Sequence, residues 1–265
     1  MRLHVSGLTF AYGEEPIVDG VDLSVAAGEL LGIVGPNGSG KTTLLCCLDR
    51  ILEPDAGTVS VDGDDLAGLS RAEIARRIGY VPQEDRRTFP TTVFDTILLG
   101  RTPHAGWRTG EDDREATAEV IDRLGLEPYA LRSVDELSGG QRRMVSIGRA
   151  IVGEPSVLLL DEPTAGLDVR HRLEVLELLR ELLADGTAAV MVIHDLNLAA
   201  RYCDRLAMLR EGRVVATGDP GILTPETIRE VYGVEATVTN HGGRRLVIPE
   251  RPFAEGIDRF DGDAD

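Results

Sequence analysis

A chain of 265 residues that is 42% hydrophobic has the material for one large α/β domain or two small ones, and wholesale disorder is excluded. With 45 acidic against 28 basic residues, the net charge of −17 opposes a nucleic-acid role that rests on phosphate neutralisation. No uninterrupted apolar run approaches the roughly 18 residues of a membrane span. Met1-Arg2-Leu3-His4 turns polar again at Ser6-Gly7, so the reading is a cytoplasmic chain without a secretory leader.

The 28 basic residues are all arginine except one, Lys41. GC-rich coding and a salt-rich cytoplasm both favour such usage; near 1 M salt the Debye length is about 3 Å and self-repulsion is screened. Cys46, Cys47 and Cys203 are an odd count without a CxxC, which fits a reducing compartment and argues against disulfides or structural zinc. The five histidines, at 4, 104, 171, 194 and 241, lack metal-ligand spacing.

In chain order, Leu3-His4-Val5 and Val21 to Val25 read as strands, the second ending at Ala27-Gly28. Leu30 to Val34 is a short apolar run suited to a buried strand, followed by a glycine-rich turn and a helical stretch from Lys41 to Leu52. Thr58 to Val61 meets Asp62-Gly63, a hairpin signal. From about 84 to 150 the character is helical. Glu111, Asp112 and Asp113 suit a helix N-terminus, and that helix stops at Gly125.

Val157 to Leu160 predicts a second buried strand, ending in Asp161-Glu162-Pro163. Val169, Leu173, Leu176, Leu179 and Leu183 repeat at helical spacing before Asp185-Gly186. Ala188 to Ile193 is a third buried strand, ending at His194-Asp195, and 205–216 reads as an exposed hairpin around Glu211-Gly212. A helix near Pro225 to Tyr232, weak strands at 234–239 and 246–248, and a frayed acidic end from Asp258 to Asp265 follow. Alternating strands and helices predict a mainly parallel sheet with ligands near the strand C-termini.

Gly35-Pro36-Asn37-Gly38-Ser39-Gly40-Lys41-Thr42 fits GxxxxGK[ST] between an expected strand and an expected helix. Glycines let successive N–H groups curl round a polyphosphate at a helix N-terminus. Lys41 adds a point charge between the β- and γ-phosphates, and Thr42 offers a hydroxyl to Mg²⁺. Asp161 emerges at a strand end, within reach of Mg²⁺ or its waters. Glu162, one residue on, is the candidate to orient or deprotonate water. Leu137-Ser138-Gly139-Gly140-Gln141 is a second small turn opening a helix, and hence a second possible anion site.

Together with the order Lys41, Gln83, Ser138, Asp161, Asp168, His194, these motifs resemble the ATP-binding cassette (ABC) ATPases over about residues 1–233. The resemblance implies a P-loop NTPase fold: a mainly parallel α/β core, an antiparallel β subdomain and a helical signature subdomain at about 84–150. Residues 234–265 would form a short C-terminal extension. It implies ATP and Mg²⁺ as cofactors. Tyr12 matches the aromatic that stacks on adenine, and Gly35, Asn37, Gly38, Ser39, Gly40, Lys41, Thr42 and Thr43 the phosphate loop. Gln83 matches the Q-loop residue that touches Mg²⁺ with Thr42 and Asp161, and His194 the switch histidine at the γ-phosphate.

Asp168 matches the D-loop, although Ala165-Gly166 stands where the family more often has Ser-Ala. Ser138, Gly139, Gly140 and Gln141 match the signature turn, which in this family closes over ATP held by a second copy in a head-to-tail dimer.

The function so implied is the ATPase subunit of a transporter whose membrane permease subunits are separate chains, with the ATPase peripheral on the cytoplasmic face. Leu98-Leu99-Gly100-Arg101-Thr102-Pro103-His104-Ala105-Gly106-Trp107 resembles the Gly-Arg-x-Pro-His stretch of iron-chelate, haem and cobalamin importer ATPases, which act with a solute-binding protein. On that resemblance Arg101 and His104 supply polar contacts to the permease, and Pro103 restrains the loop. Residues 239–249 resemble that subfamily's tails more loosely. Another solute or export remains an alternative. So does a non-transport ABC ATPase, although Lys41 and Ser138 are too close in sequence for the long coiled-coil insertion usual there.

Overall fold

The computed structural model describes residues 1–83, 90–104 and 109–253. Ala105-Gly106-Trp107 and the acidic end from Asp258 lie outside the described residues, as does part of the stretch read as helical from 84.

The central sheet has six strands. They are β3 (Leu30–Val34), β6 (Ile78–Val81), β7 (Val157–Asp161), β8 (Ala188–Val192), β9 (Arg205–Arg210) and β10 (Arg213–Gly218), in the order β10-β9-β3-β8-β7-β6. All neighbours are parallel except the edge pair β9–β10. Every residue of β3, β7 and β8 is buried, as expected where helices or a second sheet cover both faces.

Successive side chains leave a strand on opposite faces, so one short strand feeds two cores. Leu30, Leu158, Leu160, Met191 and Met208 join one cluster with α6 (Val169–Ala184), α7 (Leu196–Tyr202) and α8 (Pro225–Tyr232). Leu31, Ile33, Leu159, Val190 and Leu209 join another with α1 (Lys41–Leu48) and an antiparallel sheet. That sheet runs β2-β1-β4-β5, with β1 (Leu3–Ala11), β2 (Pro16–Val25), β4 (Ala56–Val61) and β5 (Asp64–Asp65). Its last turn is the expected Asp62-Gly63 hairpin. α2 (Arg71–Arg77) then leads into β6, beginning with a Ser70–Glu73 capping box.

A third cluster builds a helical lobe from α3 (Val93–Leu98), α4 (Glu111–Arg123) and α5 (Gly139–Ile151). Helix α5 joins the cores: Val145 belongs to the lobe, whereas Ile147 and Ile151 belong to the sheet cluster.

The hairpin expected at 205–216 forms, but β9 is not exposed. Leu206, Ala207, Met208 and Leu209 are at most 1% exposed, because β9 lies parallel to β3 inside the sheet and only β10 is an edge. The weak strands after Gly233 form a longer hairpin, β11 (Val234–His241) with β12 (Arg244–Pro252). Ala236 and Val247 of this hairpin enter the sheet cluster. Cys46, Cys47 and Cys203 are free thiols; burial pushes Cys47 and Cys203 each up to about 12.

Candidate functional site

Lys41 opens α1 where the glycine-rich loop leaves β3. The preceding residue, Gly40, has φ 95°, and a Cβ there would lie 2.5 Å from the carbonyl oxygen of Ile17. Only glycine fits that tight approach, which turns the first amides of α1 toward an open cleft. The cleft has a volume of about 540 Å³ and is lined by Ile17, Asn37, Gly38, Gly40, Lys41, Thr42, Thr43, Gln83, Glu162 and His194.

Lys41 is 7% exposed, and its Nζ donates to the carbonyl oxygens of Gly35 at 2.9 Å and Pro36 at 2.7 Å. Burial lowers its pKa, while Glu162 and Asp161 act the other way. Ser39 is 3% exposed and does not line the cleft: its amide donates to Pro36 O within the loop, and its carbonyl accepts from Gly212 N.

The C-terminal ends of β7 and β8 supply the acids and the imidazole. Thr42 Oγ1 donates to Asp161 Oδ1 at 3.2 Å, and burial raises the Asp161 carboxyl against the opposing effect of that hydrogen bond. Glu162 follows with φ 47°, a left-handed conformation that is costly for a residue with a Cβ and concentrates at functional sites. Its carboxylate is clasped from two sides: Gln83 Nε2 donates to Oε2 at 3.0 Å, and His194 Nε2 meets Oε1 at 2.5 Å. Residues far apart in sequence thus converge on one carboxylate.

Elsewhere, Ser138 caps α5. Its Oγ accepts from Gln141 N at 3.3 Å, and Gln141 Oε1 accepts from Ser138 N at 3.0 Å. Gln141 is therefore engaged within its own turn, as in any capping box. None of Ser138, Gly139, Gly140, Gln141 or Asp168 lines the cleft. Asp168 caps α6 by accepting from His171 N at 2.9 Å. Tyr12 is 68% exposed and packs edge-on against Phe10, with ring centroids 4.9 Å apart.

A family model described as ABC transporter matches residues 18–165. The chain belongs to the ABC transporter ATPase family. The cobalamin import ATP-binding protein of Halobacterium salinarum is 43% identical over 240 residues, which are 90% of this chain and 60% of that protein. The hemin import ATP-binding protein of Streptomyces coelicolor is 42% identical over 248 residues, 92% of this chain and 89% of that one. A solved structure described as a metal-chelate type ABC transporter, inward-facing, aligns with TM-score 0.82 at 28% identity, over 94% of this chain and 97% of its own. An ABC ATPase binds and hydrolyses ATP, which is the activity of this chain.

Three residues of this ABC ATPase carry contacts that the motifs do not announce. Ile17 walls the cleft and backs Gly40; the only trace in the sequence is an apolar residue at the start of β2. Arg143, on α5, donates to the carbonyl oxygens of Pro82 at 2.8 Å and Gln83 at 2.9 Å, so the signature helix grips the chain at Gln83. His171 is the third.

One expectation needs correcting. Arg101 does not face outward: its side chain is 15% exposed, with Nε 2.9 Å from Asp113 and Nη1 donating to Val152 O at 3.2 Å. Pro103 O accepts from Arg76 Nε at 2.7 Å. The Gly-Arg-x-Pro-His stretch therefore knits α3 to α4 and to the end of α5, because a guanidinium with a carboxylate partner nearby is held inward. His104 remains exposed, its pKa lowered by burial, then Arg101, then Arg76. Leu99, earlier in the same stretch, is 56% exposed.

Proposed function

We propose that this chain is the ATP-hydrolysing subunit of a membrane importer for iron chelate, haem or cobalamin. It would act as a head-to-tail pair of copies on separate permease subunits, peripheral at the cytoplasmic face, with a solute-binding protein delivering cargo. The convergence of Lys41, Thr42, Gln83, Asp161, Glu162 and His194 at one cleft carries the ATPase part of that reading. The names of the cobalamin and hemin relatives support the cargo class. Among the described residues no helix is long and apolar enough to cross a membrane, so this reading takes the membrane path from a partner.

In the reaction we propose, Asn37, Gly38 and Gly40 cradle the phosphates with main-chain amides, and Lys41 sits between the β- and γ-phosphates. Thr42 and Asp161, already hydrogen-bonded to each other, are the hard oxygen donors suited to hold Mg²⁺, with the phosphates and Gln83 completing the set. When bound, Mg²⁺ neutralises charge on the phosphates. Glu162 accepts a proton from water as its oxygen attacks the γ-phosphorus. The bond from that phosphorus to the bridging oxygen breaks, and ADP leaves with the electron pair. His194 steadies the Glu162 carboxylate and faces the γ-phosphate, while exposed Tyr12 supplies the face on which adenine stacks.

Ser138, Gly139, Gly140, Gln141 and Asp168 act on the ATP of the second copy; their position outside the cleft of their own chain supports this assignment. ATP then favours the closed pair through contacts absent in the open one, and hydrolysis reverses that preference. Uptake of labelled iron chelate, haem and cobalamin by cells lacking the chain tests the cargo. Slow uptake of one of them is expected. Normal uptake of all three, with a defect for another solute or for export, would overturn the cargo class and leave the ATPase intact.

A further inference from the structure

His171 belongs to none of the motifs, yet it touches two of them. Its Nδ1 lies 2.8 Å from Asp168 Oδ1, on the same carboxylate oxygen that accepts from its own main-chain N–H. The other side of its ring lies against Gly140 in the signature turn. A Cβ built at Gly140 would stand 2.4 Å from His171 Cδ2, 2.8 Å from Cγ and 3.0 Å from Nε2. The ring thus occupies the space that any larger residue at 140 would need. The two turns come from different parts of the fold, Gly140 from the helical lobe and Asp168 from the loop after β7.

We infer that His171 is a positioning residue that locks the signature turn to the Asp168 loop, so that both reach the second copy's ATP as one unit. The inference rests on the proposed reading in which these turns act across the dimer. Its physical basis is rigidity. Asp168 Oδ1 holds the imidazole through Nδ1 and anchors the same residue's backbone through its main-chain N–H, and the ring so held sets how far Gly140 can move toward α6. The hydrogen bond from the His171 main-chain N–H, then that of its ring, also holds the Asp168 carboxyl below its ordinary range. Misplacement of a catalytic group by about 1 Å costs on the order of 10²-fold in rate, so a loosened turn would lower turnover without touching the cleft of its own chain.

The test separates positioning from general stability and from the dimer reading. In His171→Ala, kcat should fall at least about tenfold. Affinity of the isolated chain for a fluorescent ATP analogue, which depends on Lys41 and Tyr12, should stay at the wild-type value. In a Glu162→Gln background, His171→Ala should need more ATP to form the dimer seen by size-exclusion chromatography. His171→Asn keeps a donor for Asp168 and His171→Phe keeps a ring against Gly140, so each should recover part of the lost turnover.

Wild-type kcat in His171→Ala would overturn the inference. So would a fall in kcat matched by weaker analogue binding, since that marks a general structural loss. Gly140→Asp, run in parallel, keeps the two readings apart. If it abolishes turnover while His171→Ala does not, only the positioning role fails. If it leaves turnover unchanged, the dimer reading fails, and the positioning role with it.

Discussion

The cleft at Lys41 and the turn at Ser138 are both glycine-rich starts of helices, and their surroundings differ sharply. Around Lys41 the same chain supplies an amide, an acid, hydroxyls and an imidazole in one cleft, with the buried Asp161 held behind Thr42. Around Ser138 the described residues supply the turn's own capping box, the His171–Asp168 pair and the guanidinium of Arg142, which donates to Leu137 O, with no acid–base cluster like that at Glu162. A helix N-terminus is a generic anion site; what makes one a reaction centre is the company of acid and base groups. The first region is equipped to do chemistry; the second is not, which suits the proposed role of closing over ATP held by another copy.

That contrast breaks most visibly at Glu162. Removing its basicity with Glu162→Gln should lower steady-state ATP turnover by about 10²–10⁴, the range of a positioned general base. ATP-bound dimer should accumulate on size-exclusion chromatography. Near-wild-type turnover would remove Glu162 from its role. The next largest effect belongs to the second region: Gly140→Asp should lower turnover by about 10² while the isolated chain still binds a fluorescent ATP analogue as tightly as wild type.

Asp161 sharpens the comparison through pH. Its carboxyl is raised by burial, so the folded chain holds that proton more tightly than the unfolded chain, whose Asp titrates near 3.9. The ionised form therefore costs stability above the folded-state pKa, and the cost fades as pH falls through it. Asp161→Asn should raise the melting temperature of the nucleotide-free protein at pH 8, with a gain that shrinks toward pH 4. Turnover should fall at the same time, a stability–activity trade expected of functional groups. Equal melting temperatures at all pH values would contradict this account of the acidic cluster.

Most of the reaction centre was legible in the sequence because its groups sit at fixed offsets from strand ends, where β7 and β8 deliver Glu162 and His194 in register. Direction was not legible. Nothing in Gly-Arg-x-Pro-His shows that Arg101 turns toward Asp113, since the two meet only after α4 packs on α3. β9 read as exposed because a hairpin ending in Glu211-Gly212 looks like a surface element. Its burial comes from parallel pairing with β3, which is remote in sequence. Ile17 and His171 were hidden for the same reason, as each matters through a close approach to a distant glycine.

The smallest expected effect follows from Arg101. Arg101→Ala should lower the melting temperature by a few degrees, at about 2–4 °C per kcal/mol for a domain near this size. Turnover per folded molecule should hold in the isolated ATPase, because the residue braces the helical lobe away from the cleft. Loss of turnover with an unchanged melting temperature would contradict that bracing role.

The claim that the two regions complete each other across a pair of copies has a direct test. Lys41→Ala lacks the phosphate cation but keeps its signature turn, and Gly140→Asp has the opposite defect. In a mixed pair, one site combines the intact cleft of the second variant with the intact signature turn of the first. Each variant alone should be close to inactive, and mixing them should restore ATP turnover well above the sum of the two separate rates. A mixture no more active than its components would contradict completion across the dimer.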